Sequence, residues 1–252
     1  MTHEQTSVKL ELDNAKQYWI QFCCIQYIKL EKDCQDSLRP KTRTRRAYNS
    51  SRRKEQAVQT RRQIVEAARE LFIARGYAGA TIEAIALAAG VAEETVYAAF
   101  KNKRTILAKL FEVSLVGDDL PIPLLERQGP QAAMNETDQH RQIELFADDI
   151  YEIMSRVAPL FDVMRGAAKT EADISEMLQN ILNARLHGML AFVRALVKNG
   201  PLRKDLTPEM AAETVWTLTS AEVFTLLKTN RGWSADVHKR WLAESLKRLL
   251  LL

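Results

Sequence analysis

Between residues 60 and 111 short runs of helical apolar spacing are separated by single glycines, and this rhythm restricts the possible folds more than any other feature of the chain. Ile64, Ala68, Leu71 and Phe72 recur at intervals of three and four, which places them on one face of a helix. Gly76 ends that run, because glycine accepts the left-handed conformation at a helix C-terminus. Thr60 and Gln63 fit a capping box, so the pattern predicts a first helix starting at Thr60. Thr81 is the expected N-cap of a second helix with Ile82, Ile85, Ala86 and Ala89 on its apolar face. Gly90 then gives a sharp turn, with Val91 filling the angle. A third helix is predicted from Ala92 to about Phe100, burying Val96 and Phe100. Asn102 or Lys103 opens a fourth, with Ile106, Leu107, Leu110 and Phe111 inward, ending near Val116.

Two short helices joined by a glycine turn make a helix-turn-helix. The small residues Ala86 and Ala89 let the second helix pack closely on the third, which can then protrude into a DNA major groove about 12 Å wide. Any small helical bundle can also carry an Ala-Gly-Val turn, so spacing alone leaves both readings open.

The rest of the chain is consistent with an all-α protein. Nine glycines and seven prolines in 252 residues are too few turn formers for many short strands, and 46% apolar residues suit a packed core. Four zones are expected: an N-terminal extension over 1–38, a basic arm or linker over 39–59, a three-helix helix-turn-helix domain over 60–116, and a helical ligand-binding and dimerisation domain over 117–252. Within the last, residues 118–138 contain Pro121, Pro123, Gly129 and Pro130 and read as a loop.

Charge is unevenly distributed. Residues 39–62 hold ten basic side chains and one acid, a net of +9 that leaves −5 for the remainder of a chain whose formal charge is +4. Such asymmetry points to a polyanion at one end of the molecule, although a solvated basic arm gives the same composition. No apolar run reaches the ~20 residues of a spanning helix, and residues 1–20 lack the basic start and cleavage site of a secretory signal. The three cysteines, Cys23, Cys24 and Cys34, read as reduced thiols of a cytoplasmic protein, and with His3 they match no zinc-ligand spacing; no metal is expected.

The run Thr81-Ile82-Glu83-Ala84-Ile85-Ala86-Leu87-Ala88-Ala89-Gly90-Val91, followed by Thr95-Val96-Tyr97 and Phe100-Lys101-Asn102-Lys103, resembles the DNA-binding domain of tetracycline-repressor (TetR) family transcription regulators. The preceding Ala67-Ala68-Arg69-Glu70-Leu71-Phe72, closed by Arg75-Gly76-Tyr77, extends the resemblance over roughly residues 60–110. It implies an all-helical, cytoplasmic homodimer that binds a palindromic operator in double-stranded DNA and answers to a small-molecule effector. It further implies that Thr81 caps the second helix and touches a phosphate, that Thr95 lies near base edges or a phosphate, that Tyr97 donates to a phosphate, and that Lys101 and Lys103 add positive charge at the backbone. Each has a plainer reading: Thr81 as a cap alone, Tyr97 as a packing aromatic. The chain departs from the family where Ala92 replaces a frequent serine and where Ala98 and Ala99 replace a tyrosine and a histidine. Glu93 and Glu94 suit the helix dipole but repel phosphate; Glu94 has the chemistry to accept from cytosine N4. Arg45, Arg46, Arg52 and Arg53 of the basic arm are candidates to supply the missing attraction.

Residues 139–252 read as five or six helices. Ile143, Phe146, Ile150, Met154 and Val157 line one face until Pro159 breaks it, and Leu160–Ala168 is predicted as a short separate helix. A long helix follows to Asn199-Gly200-Pro201; the next starts at Thr207-Pro208, with Val215, Trp216, Thr219, Val223 and Leu226 on one face; the last is capped by Ser234. Phe146, Met154, Phe161, Met189, Phe192 and Trp216 are candidate effector contacts, each with ordinary core as the alternative, and Arg165 is the candidate polar contact unless it pairs with Asp162 or Glu171. By the resemblance, Thr219, Val223, Trp241, Leu242 and Leu246 lie in the dimer interface. No P-loop, dinucleotide fingerprint, nucleophile elbow or His-Glu metal motif is present, so neither a cofactor nor an enzyme activity is expected. The leading reading is a DNA-binding repressor relieved by a mostly apolar ligand. A helical interaction protein with a weakened DNA-binding motif is the alternative.

Overall fold

The computed structural model describes residues 50–251. The extension 1–38, with its cysteines, and Arg45 and Arg46 of the basic arm lie outside the described residues. Ten α-helices are described: α1 (Ser50–Gly79), α2 (Ile82–Ala89), α3 (Glu93–Phe100), α4 (Lys103–Val116), α5 (Gln128–Asn135), α6 (Gln139–Ala167), α7 (Ala172–Asn199), α8 (Pro208–Leu218), α9 (Ala221–Thr225) and α10 (Ala235–Leu250). A 3₁₀ turn, Leu124–Glu126, precedes α5, and α9 runs on into a π-helical turn, Leu226–Asn230. There is no strand among the described residues, and none of their helices is long and apolar enough to cross a membrane.

The glycine rhythm builds the first four helices. Gly76 breaks α1 with φ 68°, ψ 177°. Gly90, at φ 66°, closes α2 in a Schellman arrangement: its N–H donates to Leu87 O (3.2 Å) and that of Val91 to Ala86 O (3.0 Å). Thr81 Oγ1 accepts from Ala84 N at 3.1 Å, and Asn102 Oδ1 accepts from both Thr105 N and Thr105 Oγ1, so Asn102 rather than Lys103 caps α4. Ile64, Phe72, Ile85, Val96, Phe100, Ile106, Leu107 and Leu110 fill the space between these helices.

Four boundaries differ from the sequence reading. Helix α1 is already formed at Ser50, so Thr60 is an interior residue and not a cap; residues 50–59 contain no glycine or proline and add three turns to the helix rather than a linker. Pro159 sits inside an unbroken α6, whose neighbours α1, α4, α7 and α10 hold it on several sides. The supposed loop 118–138 contains α5, with Gly129 and Pro130 in the first turn, where a missing N–H costs no helical bond. The helix starting at Thr207 ends at Leu218, because Ser220 caps α9 by accepting from Val223 N.

The two halves share one apolar core. Helices α1 and α4 pack directly on α6. At the junction Arg156 of α6 donates through Nε to Ser114 O (2.8 Å) and through Nη2 to Leu115 O (3.2 Å), carbonyls in the last turn of α4 that have no donor within that helix. Arg69 of α1 donates to Ser114 Oγ at 2.9 Å, Arg62 pairs with Asp119 at 2.8 Å, and Phe111 meets Phe161 edge to face at 5.3 Å between ring centroids.

Candidate functional site

The candidate recognition surface is α3 with its two flanking caps. Val96 and Phe100 anchor α3 in the core, which turns Glu93, Glu94, Thr95, Tyr97 and Ala98 to solvent; Tyr97 is 51% exposed. Thr81 is exposed at the N-terminus of α2 while its hydroxyl is engaged as the cap. Ala92 supplies no side-chain cap to α3, so only Glu93 and Glu94 answer the partial positive charge there. Lys101 closes α3 with φ 53°, its amide donating to Tyr97 O at 2.9 Å. Lys103 lies in the first turn of α4; its Nζ donates to Tyr77 O at 2.6 Å and stands 4.2 Å from the Tyr77 ring centroid. Partial burial lowers its pKa, yet an ammonium making one hydrogen bond keeps two further protons. Arg52 and Arg53 are exposed on the opening turns of α1. Thus Glu94, Thr95, Tyr97 and Lys101 share one short helix and its end, with Thr81 and Lys103 at the starts of its two neighbours.

In the second half an apolar cavity of ≈ 80 Å³ lies between α4, α5, α6 and α7, enough for several waters. Phe111 and Leu115 of α4 form one wall; Leu124, Leu125, Pro130, Ala133 and Met134 of the 3₁₀ turn and α5 form a cover. Phe146, Met154, Phe161, Met189 and Phe192 all line it, with Phe146 and Phe192 stacked at 4.0 Å. The other two candidates do not. Arg165 forms an ion pair with Glu222 on α9, a partner separated from it in sequence by the whole of α7 and α8, instead of Asp162 or Glu171. Trp216 packs behind the wall, its Nε1 donating to Leu182 O at 3.3 Å.

Two charged residues line the cavity that the sequence reading passed over. Asp149 of α6 lies against Gly129, so close that a Cβ there would overlap its carboxylate; burial raises its pKa to about 6, against the attraction of Arg156. Arg185 of α7 is only 8% exposed. Its Nη2 donates to Trp216 O and Thr219 Oγ1, both at 2.6 Å, its Nε has no acceptor, and desolvation depresses its pKa to about 10. A signal for both was present. Arg185 interrupts an apolar stripe, Ile181, Gly188 and Phe192, at offsets of four, three and four, and Asp149 does the same between Phe146 and Ile153. No group of three or more potential metal ligands is found among the described residues.

The expected interface residues divide. Thr219 (4% exposed), Leu242 (2%) and Leu246 (0%) are buried inside the protomer, because α10, which carries the two leucines, packs on α6, and Thr219 is bonded to Arg185 and Val215 O. Val223 and Trp241 are half-buried, and next to them Leu226 and Val237 are exposed.

Residues 64–110 match the family model described as bacterial regulatory proteins, tetR family. No curated protein matches the chain. Among solved structures, a putative TetR-family transcriptional regulator from Mesorhizobium loti is similar with 18% identity and a TM-score of 0.60, over 78% of this chain and 98% of that one. FadR from Bacillus subtilis, solved in complex with stearoyl-CoA, is similar with 21% identity and a TM-score of 0.58, over 73% and 96%. SmeT in complex with triclosan is similar with 18% identity and a TM-score of 0.59, over 77% and 92%. The match to the family model thus runs from within α1 to the end of α4's second turn, and the likeness to these solved structures, at identities of 18–21%, shows that the chain shares their all-helical fold.

Proposed function

We propose that this chain is a DNA-binding transcription regulator of the tetR family, a homodimeric repressor that binds a palindromic operator through α3 and is released from it by a mostly apolar small molecule. The observation that carries the reading is that one cavity has walls on both α4, which holds the recognition unit, and α6 and α7 of the effector half. A molecule that enlarges this cavity must displace Phe111 and Leu115, and α4 with them. Only an arrangement-dependent affinity can couple the two sites, and linkage makes the coupling reciprocal. FadR and SmeT, solved with stearoyl-CoA and triclosan, lend the effector class support. In this reading Thr81, Tyr97, Lys101 and Lys103 contact phosphates, Thr95 and Glu94 face base edges, and Arg52 and Arg53 add phosphate contacts. Exposed Leu226 and Val237, with half-buried Val223 and Trp241 beside them, meet the partner subunit, and two recognition helices about 34–36 Å apart set the operator's half-site spacing.

The test is fluorescence anisotropy on the DNA upstream of the protein's own gene, with and without apolar ligands. Salt-dependent, sequence-selective binding weakened by ligand is expected. The uncapped start of α3 and its two exposed glutamates favour a second reading, an interaction protein with an attenuated DNA motif. Equal affinity for every sequence would select it.

A further inference from the structure

Arg185 is a buried guanidinium with no counter-charge. No carboxylate lies within ion-pair distance of it among the described residues, and the acid whose field reaches it, Glu222, is already paired with Arg165. Its two hydrogen bonds go to neutral oxygens, both from the same nitrogen, Nη2. They satisfy the end of α8, which carries a partial negative charge, but half a charge shared with a helix terminus does not neutralise a cation removed from water. The Nε–H has no acceptor at all. A residue serving only to cap α8 needs none of the cavity, whereas Arg185 lines it, in a wall otherwise made of Ile181, Gly188, Met189 and Phe192. The one acid lining the same space, Asp149, is not a partner: it lies against Gly129 under the α5 cover, and the charges that act on it are those of Arg156 and Glu152.

We propose that the cavity takes an amphipathic acid, with its acidic headgroup on Arg185 and its hydrocarbon part among Phe146, Met154 and Phe192. This rests on the reading of the cavity as an effector site and narrows it to a class of ligand. The planar fork of a guanidinium fits a carboxylate or a phosphate in two-point contact, and either would supply the charge and the acceptor that the folded chain withholds.

The experiment is calorimetric titration of the full-length protein with decanoate, decyl phosphate, decanol and decylamine. At least one of the two acids is expected to bind about tenfold or more tightly than decanol, as befits a charge-assisted hydrogen bond in a site of low polarity, and decylamine most weakly. Whichever acid binds better identifies the headgroup. In Arg185→Gln the preference for the acid is expected to vanish while decanol affinity stays within about twofold; Arg185→Lys, which keeps a cation, should retain part of it. Should Arg185→Gln not fold, the order of the four ligands on the unaltered protein still decides. Decanol binding as tightly as both acids, or none of the four binding, overturns the proposal, as does an acid preference that survives Arg185→Gln. Operator affinity measured alongside separates this from the effector reading. Decanol and decanoate releasing DNA equally would leave the effector site standing and remove the role of Arg185. Acid binding through Arg185 with no change in operator affinity would do the reverse.

Discussion

Replacing Arg156 by methionine tests the joint between the helix-turn-helix unit, α1 to α4, and the helical half that follows it. Methionine keeps the length and apolar stem of the side chain and removes the guanidinium, leaving Ser114 O and Leu115 O at the end of α4 without their donors at 2.8 and 3.2 Å. Both residues are buried, and each unsatisfied backbone group costs about 1–3 kcal/mol. Arg156 itself is half-exposed, so water will reach at least one of the vacated carbonyls and the lower end of that range applies. The positive charge near the helix C-terminus adds a few tenths. The sum is about 2 kcal/mol. At roughly 2–4 °C per kcal/mol for a chain of this size, thermal unfolding followed by circular dichroism should fall by about 4–8 °C. Arg141→Met is the control: its guanidinium pairs with Glu144 three residues away on an exposed face, and such a pair is worth well under about 1 kcal/mol. Because the lost contacts lie at the hinge between α4 and α6 and not on α3, operator affinity without ligand should change less than the ligand-induced loss of affinity. A melting temperature for Arg156→Met within a degree of the control's would refute the reasoning that these two carbonyls depend on Arg156.

Other substitutions separate the remaining claims. Gly90→Ala introduces a Cβ that meets nothing within 4 Å, so its cost comes only from the left-handed backbone, about 1–2 kcal/mol in urea unfolding. Tyr97→Phe should weaken operator and random DNA alike, whereas Arg52→Ala with Arg53→Ala should lower the slope of log affinity against log salt by about two. Val237→Asp, at an exposed position of α10, should shift the sedimentation coefficient from dimer to monomer, while Leu246→Asp, within the protomer's own core, should abolish the folding transition. Asp149 carries a pKa raised to about 6, so its ionisation opposes folding: stability is lost as pH rises from its ordinary value of 3.8 through 6. Asp149→Asn should therefore gain in melting temperature over the native chain across that window, with the gain level above pH 7; a gain independent of pH would show that its carboxyl is not the buried, reluctant acid described above.

What the sequence disclosed and what it withheld follow from how local each determinant is. The turn at Gly90, the caps Thr81 and Asn102 and the inward face of α4 are settled by residues within a few positions of one another, and all four stand where spacing puts them. The start of α1 failed because a capping box is a permission and not a command: Thr60-Arg61-Arg62-Gln63 also suits a helix interior, and nothing in residues 50–59 stops the helix earlier. Pro159 failed for the opposite reason. Its local penalty of about 3 kcal/mol is real, but burial of Val157, Ala158, Leu160 and Phe161 on both sides of it outweighs the loss of one hydrogen bond.

The cavity shows the same division. Its five apolar contacts were legible as a helical stripe. Its cover, α5 and the 3₁₀ turn, was hidden in a stretch rich in proline and glycine, which mark turns by default. The sequence reading offers Arg165 as a polar contact of the cavity and passes over Arg185, which lines it, because a partner cannot be read from one helix. Arg165 and Arg185 both interrupt apolar runs, and only the fold of α9 beside α6 gives Glu222 to the first and leaves the second without an acid. A charge in an apolar stripe therefore reports that something polar must meet it; whether the chain or a ligand does so is decided by elements far away in sequence. For Arg185 the chain offers two neutral oxygens and the ring of Trp216 at 5.1 Å, none of them a counter-charge, which is why the acid that completes it is sought outside the protein.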